Sequence, residues 1–229
     1  TVSQLIFTYD PSQLPLYLGF IVVALGIIYA VVVMTEAERP VPITYAKQSR
    51  GGNTYGGSTS YLPLRLNQAG VIPIIFALSI VLFPQMVLNI LATFDLPWVA
   101  TANATVTAFL ENPYAYGGVY FLLVFLFTFF YTAVTFDPDA IAKNLQRNGA
   151  FVPGLRPGAH TSEYLGNLIT RLTLVGALFL GFVAVLPVGM QIATNIEALA
   201  IGGTAVLIVV TVVLDLIRRL DAQVSLREY

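Results

Sequence analysis

The 229 residues are 57% hydrophobic and 10% charged, with a formal net charge of −1. Soluble domains carry about 25% charged residues, so this much apolar surface cannot be hidden in one core and the chain reads as a membrane protein. The same balance excludes a disordered tail, a coiled coil and a nucleic-acid-binding domain, and the lack of cysteine excludes a disulfide framework and a thiolate metal site. The chain opens at Thr1 without a methionine or a signal-peptide pattern, so it reads as part of a longer polypeptide.

A helix rises about 1.5 Å per residue, so crossing a hydrocarbon layer takes about 20 apolar residues. Five runs approach that length, and because lipid offers the backbone no partners they are expected as helices. The first covers about 14–34. After it, Val41-Pro42-Ile43-Thr44-Tyr45 and Leu62-Pro63-Leu64-Arg65-Leu66 alternate apolar and polar residues around a Gly/Ser/Asn stretch. That pattern predicts a protruding two-stranded finger within a loop over 35–66, with prolines suited to an edge. The second span covers about 68–93; Pro73 sits near its start, where a missing N–H is tolerated, and Pro84 falls inside it and predicts a kink. Residues 99–110, rich in Ala and Thr, predict a short helix lying on the membrane surface. The third span covers about 116–136 and is followed by a loop over 137–166. The fourth covers about 167–187. The fifth, uncharged over 199–214, predicts a helix over about 199–219 before a tail at 220–229.

Charge placement fixes an orientation. The segments 35–66, 136–171 and 215–229 carry all 11 Lys and Arg residues, whereas 1–13, 94–115 and 187–198 carry none. The positive-inside rule then puts the basic segments in the cytoplasm, the N-terminus outside and the C-terminus inside. An odd number of spans requires the same arrangement.

Motifs of catalysis or cofactor binding are weak. Gly51-Gly52-Asn53-Thr54-Tyr55-Gly56-Gly57-Ser58 has Gly57 where a phosphate-binding loop needs lysine, so it reads as a flexible turn. His160 stands alone in a Gly/Pro-rich loop and reads as a solvated residue, with no second imidazole for a metal site or triad. Asn103-Ala104-Thr105 matches a glycosylation sequon that matters only in a secretory lumen. No Asp, Glu, Lys, Arg or His lies in the middle of any predicted span. A proton-coupled pump confined to this chain is therefore disfavoured, and any conduit must be lined by apolar and weakly polar groups. Thr204, Ile208, Thr211 and Asp215 share one helical face, as do Val71, Ile75, Ser79 and Phe83 with Asn67 one turn before. From periodicity alone, ordinary helix packing accounts for such spacing better than a pore face does. In 149–158, two Pro-Gly pairs bracket Arg156, a rigid loop that holds one guanidinium outward for lipid phosphates or for an acidic partner such as a protein or ribosomal RNA.

Four stretches together resemble the SecY family of bacterial protein-translocation channels, specifically its C-terminal half. They are Ile43-Thr44-Tyr45-Ala46-Lys47; Tyr61-Leu62-Pro63-Leu64-Arg65-Leu66-Asn67-Gln68-Ala69-Gly70-Val71-Ile72-Pro73 running to Leu82-Phe83-Pro84; Phe151-Val152-Pro153-Gly154-Leu155-Arg156-Pro157-Gly158; and Arg171-Leu172-Thr173. The resemblance implies an all-α membrane protein whose five transmembrane helices form one half of a ten-helix pseudo-twofold channel. It implies that Ile75 and Ile208 belong to an aliphatic pore ring and that Asn67 and Ser79 lie on a helix of the lateral gate. Arg156, Lys47, Arg50, Arg39 and Tyr229 match the cytoplasmic docking surface for the SecA motor or the ribosome. The further partners it implies are SecE and SecG subunits, signal peptides and nascent chains, the N-terminal half of SecY, and membrane lipids, in the bacterial plasma membrane. No cofactor and no catalysis are implied. The chain departs from many relatives at Gln48, Gly52 and Asn53, where basic residues are common, and Glu36 and Glu38 lower the finger's charge further, which shifts the weight of docking to Arg156. Two rival readings are half of an inverted-repeat secondary transporter, with Pro84, Gly176 and Gly181 as helix irregularities, and an intramembrane enzyme, for which no catalytic constellation is visible.

Overall fold

The computed structural model describes residues 14–45, 48–50, 53–55, 59–94 and 97–194, with 208–209, 212–213 and 216–217 beyond them. Helix α1 spans Leu14–Glu36 and leads into strands β1 (Glu38–Tyr45), β2 (Gln48–Arg50), β3 (Asn53–Tyr55) and β4 (Thr59–Arg65). Helices α2 (Ile72–Leu91), α3 (Pro97–Glu111), α4 (Pro113–Thr135) and α5 (Pro138–Arg147) follow, then β5 (Ala150–Phe151) and α6 (Ala159–Thr194). Among the described residues three helical stretches, Ile72–Phe94, Pro113–Arg147 and Ala159–Ile192, are long and apolar enough to cross a membrane by length and composition. Most of the fifth predicted span and the whole tail lie outside the described residues.

The chain divides into two compact units. The first takes residues 1–33, 70–127 and 178–229. Its core joins Ile74, Ala77 and Val81 of α2, Tyr120 and Val124 of α4, and Leu180 and Ala184 of α6. Phe76 stacks on Phe127 with ring centroids 6.1 Å apart, and Val31 of α1 is buried with Val183. In α2, Pro73 occupies the first turn, where its missing N–H costs nothing. Pro84 lies inside the same helix and withholds the N–H that would bond the Ile80 carbonyl, yet the helix continues to Leu91.

The second unit takes residues 34–69 and 128–177. The expected finger is here as β1 and β4, antiparallel in a register running from Glu38↔Arg65 to Thr44↔Thr59, while β2 and β3 form a separate small hairpin. A third strand, β5, adds to β1 at Thr44↔Phe151 and Tyr45↔Ala150. It pairs only beyond Pro40 and Pro42, which share one phase of the pleat and have no N–H to offer a neighbour. Val41 and Leu64 pack with Val152, Leu165, Leu168 and Ile169 as this unit's core.

Residues 137–166 hold regular structure of their own. The Asp137 carboxylate accepts from the N–H groups of Asp139 and Ala140 at 2.9 and 3.1 Å, capping α5 just ahead of Pro138. The Ser162 hydroxyl donates to the Asp139 carboxylate and ties the start of α6 to that of α5. Farther along α6, a Cβ on Gly176 would lie 2.6 Å from the Leu66 carbonyl oxygen, so only glycine allows the helix this close to the backbone that leaves β4.

Candidate functional site

On α2 the buried residues Pro73, Ile74, Ala77, Val81 and Leu88 recur at helical spacing. Successive residues turn by about 100°, so Ile75 and Ser79 fall on the side roughly opposite Ile74, Ala77 and Val81. The exposures agree: Ala77 is 0% and Ile75 41% exposed. The Ser79 hydroxyl donates to the Ile75 carbonyl at 2.8 Å, so its polarity is spent on its own helix. The face carrying Ile75 and Ser79 is thus uncharged and offers no free donor from Ser79. Asn67 lies in the segment between β4 and α2 and is half-buried. Ile208 is helical and half-buried, while Thr204, Thr211 and Asp215 lie outside the described residues.

The loop bearing Arg156 is built by local chemistry. Leu155 N–H donates to the Val152 carbonyl at 3.1 Å, with Pro153 and Gly154 at the two corners and Gly154 at φ +85°. This is the type II turn that Pro-Gly favours, because its second corner requires positive φ. Gly158, at φ +100°, then turns the chain into α6, and its carbonyl accepts from Thr161 and Ser162 N–H at 3.0 and 3.1 Å. The Thr161 hydroxyl donates to the Arg156 carbonyl at 3.0 Å. Val152 is buried and Arg156 exposed, so the backbone is anchored while the guanidinium is presented.

Beside this loop lies an open recess of about 380 Å³ lined by Gly154, Leu155, Arg156, His160, Glu163, Tyr164 and Asn167. The sequence singles out Arg156 and His160 but not the recess, for which the i, i+3, i+4 and i+7 spacing of His160, Glu163, Tyr164 and Asn167 is the available signal. Arg39 is exposed at the start of β1. Its neighbour Glu38 is engaged, accepting from Arg65 Nε at 3.0 Å across the β1–β4 pair. Arg50 lies in β2, Lys47 and Tyr229 lie outside the described residues, and so does most of the glycine-rich turn at 51–58. Among the described residues no group of three or more His, Asp or Glu side chains could hold a metal ion.

Long apolar helices with an uncharged exposed face, joined to a charged unit of sheet and loops, define a mostly helical membrane protein. The SecY family model matches residues 1–217. Similar proteins include the protein translocase subunit SecY of Thermotoga maritima, 40% identical over 218 residues that cover 93% of this chain and 47% of the relative. Those of Thermus thermophilus and Mycobacterium tuberculosis are 44% identical over 215 residues and 40% over 212, covering 93% and 90% of this chain and 47% and 48% of the relatives. The chain belongs to the SecY family. It spans about half the length of the curated relatives it matches, and this membership does not favour the half-transporter reading.

Proposed function

We propose that this chain is the C-terminal half of a protein-conducting channel, passing unfolded secretory polypeptides across the bacterial plasma membrane and releasing hydrophobic segments sideways into lipid. The observation that carries the reading is the division of α2 into a buried side and an exposed, uncharged side holding Ile75 and Ser79, in a chain of this family. On this reading five spans pair with five from an N-terminal half to make a ten-helix channel, with the first residues outside and the last in the cytoplasm. Ile75 and Ile208 contribute to its narrowest ring. Aliphatic side chains there resist ion leakage by excluding water, and they give a passing chain no ionic or strong hydrogen-bonding site at which to stall. Asn67 and Ser79 belong to the gate helix and its approach.

The protein performs no catalysis on this reading, and the driving energy comes from a partner. Arg156, Arg39, Arg50 and Lys47, with Tyr229 in the tail, form the landing surface for the SecA motor or the ribosome, and SecE and SecG complete the complex. Signal peptides and nascent chains are the cargo. The test is a photo-crosslinker placed at Ile75 or at Ile208 in a full-length channel engaged with a stalled precursor. Crosslinks from both positions are expected, and a translocating complex that yields none overturns the pore assignment.

A further inference from the structure

Tyr120 is the bulkiest fully buried side chain among the described residues, 1% exposed. Its ring packs among Ile74, Ala77 and Val81 of α2, Val124 of its own helix, and Leu180 and Ala184 of α6, and it stacks on Tyr116 at 5.7 Å. Every member of that cluster is apolar apart from Tyr120 itself. Its hydroxyl is buried and has no hydrogen-bond partner among the described residues. A phenol is normally buried only where its O–H reaches an acceptor. Phenylalanine would fill the same volume without this cost, so the hydroxyl works against the packing that its ring supports.

The cost falls on the packing of α2, α4 and α6 around Tyr120. Ile74, Ala77 and Val81 are the buried side of α2, roughly opposite Ile75 and Ser79. We infer that Tyr120 is a positioning residue for α2: its unpartnered hydroxyl raises the energy of the packed arrangement and keeps that helix poised to shift. The inference rests on reading α2 as the pore helix only for its consequence in translocation. The bias on α2 itself follows from burial and hydrogen bonding. Leaving one buried hydroxyl unpaired corresponds to roughly a 5- to 150-fold shift in a two-state equilibrium.

The experiment uses a full-length channel carrying these residues in a lipid nanodisc. Spin labels are placed at Met86 on α2 and Phe182 on α6, both exposed and both in the first unit. Pulsed electron–electron distance measurements then give the ratio of packed to displaced α2. Tyr120→Phe is expected to raise that ratio at least about 5-fold, while Val124→Ala, which loosens the same cluster without touching the hydroxyl, lowers it. An unchanged or lower ratio in Tyr120→Phe overturns the inference, as does a single distance population that neither substitution alters. Passage of a precursor with a weakly hydrophobic signal is measured in parallel and falls in Tyr120→Phe. A raised ratio with unaltered passage upholds the bias on α2 and counts against the channel reading instead.

Discussion

Replacing Gly176 by alanine tests the packing of α6 most directly. The new Cβ would sit 2.6 Å from the Leu66 carbonyl oxygen and 3.5 Å from its carbonyl carbon, roughly 0.8 Å inside the range where ordinary contact begins. That oxygen is not the end of a flexible side chain. It belongs to a residue whose N–H donates to the Ala37 carbonyl at 3.0 Å, immediately after a strand held in a seven-pair register. Relief therefore requires moving α6 or pulling at the finger's base, and overpacking of this kind costs about 1–3 kcal/mol. Alanine recovers up to about 1 kcal/mol of helix propensity, so the net loss is about 0.5–2 kcal/mol. Gly189 lies in the same helix, and a Cβ there would meet nothing within 4 Å, so Gly189→Ala is neutral or slightly stabilising. Thermal unfolding of the two variants in one detergent should place Gly176→Ala lower by about 1–8 °C. Equal midpoints, or a higher one for Gly176→Ala, refute the close backbone approach.

Asp137→Ala removes the cap on α5 and should cost about 1 kcal/mol, read as faster amide exchange at Asp139 and Ala140. Gly154→Ala forces a side chain into φ +85° and should cost about 1–2 kcal/mol, read by unfolding. On the proposed docking role, Arg156→Ala, which leaves the turn's backbone hydrogen bonds intact, should weaken motor or ribosome binding with an unchanged unfolding midpoint. Arg65→Ala breaks an ion pair whose side chains are 52% and 38% exposed, so it should cost no more than about 1 kcal/mol, and less in high salt. On the proposed pore position of Ile75, Ile75→Asn puts a hydrated group on the exposed side of α2 and should raise resting ion conductance in planar bilayers, with stability little changed because the side chain is 41% exposed.

What the sequence made legible was the part encoded locally. Alternation around Pro42 and Pro63 foretold the paired strands, and the Pro-Gly pairs foretold a rigid turn presenting Arg156. Strand β5 was not legible, because Phe151 finds Thr44 across more than a hundred residues and a two-residue strand carries no periodicity. The α5 cap carries a local signal that its setting masks: Asp137-Pro138 is a helix-start signature, but a polar segment after an apolar run reads first as a loop. Helix α6 outruns its apolar run at both ends, and Pro187 sits within it, where proline would ordinarily mark an end. Tyr120 was invisible to spacing, since nothing in a run of aromatic residues distinguishes a phenol with an acceptor from one without.

On the proposed reading, the two units divide the physical labour of a passive conduit. Within 70–127 and 178–194 the sequence holds only two charged residues, Asp95 and Glu111, so that part of the first unit has almost nothing with which to grip a polymer or exchange a proton. Exposed arginines and acidic groups concentrate in the second unit, on strands and turns whose backbones are fixed by caps and short-range hydrogen bonds. A channel that does no chemistry can be opened only by a partner that binds one arrangement better than another. On the same reading, the charged unit is suited to receive that partner, and α2 is suited to respond because the cluster on its buried side includes a hydroxyl that is not satisfied. A ligand able to change the packed-to-displaced ratio of α2 by the amount one hydroxyl does, roughly 5- to 150-fold, needs no more differential affinity than a few well-placed hydrogen bonds to arginine provide.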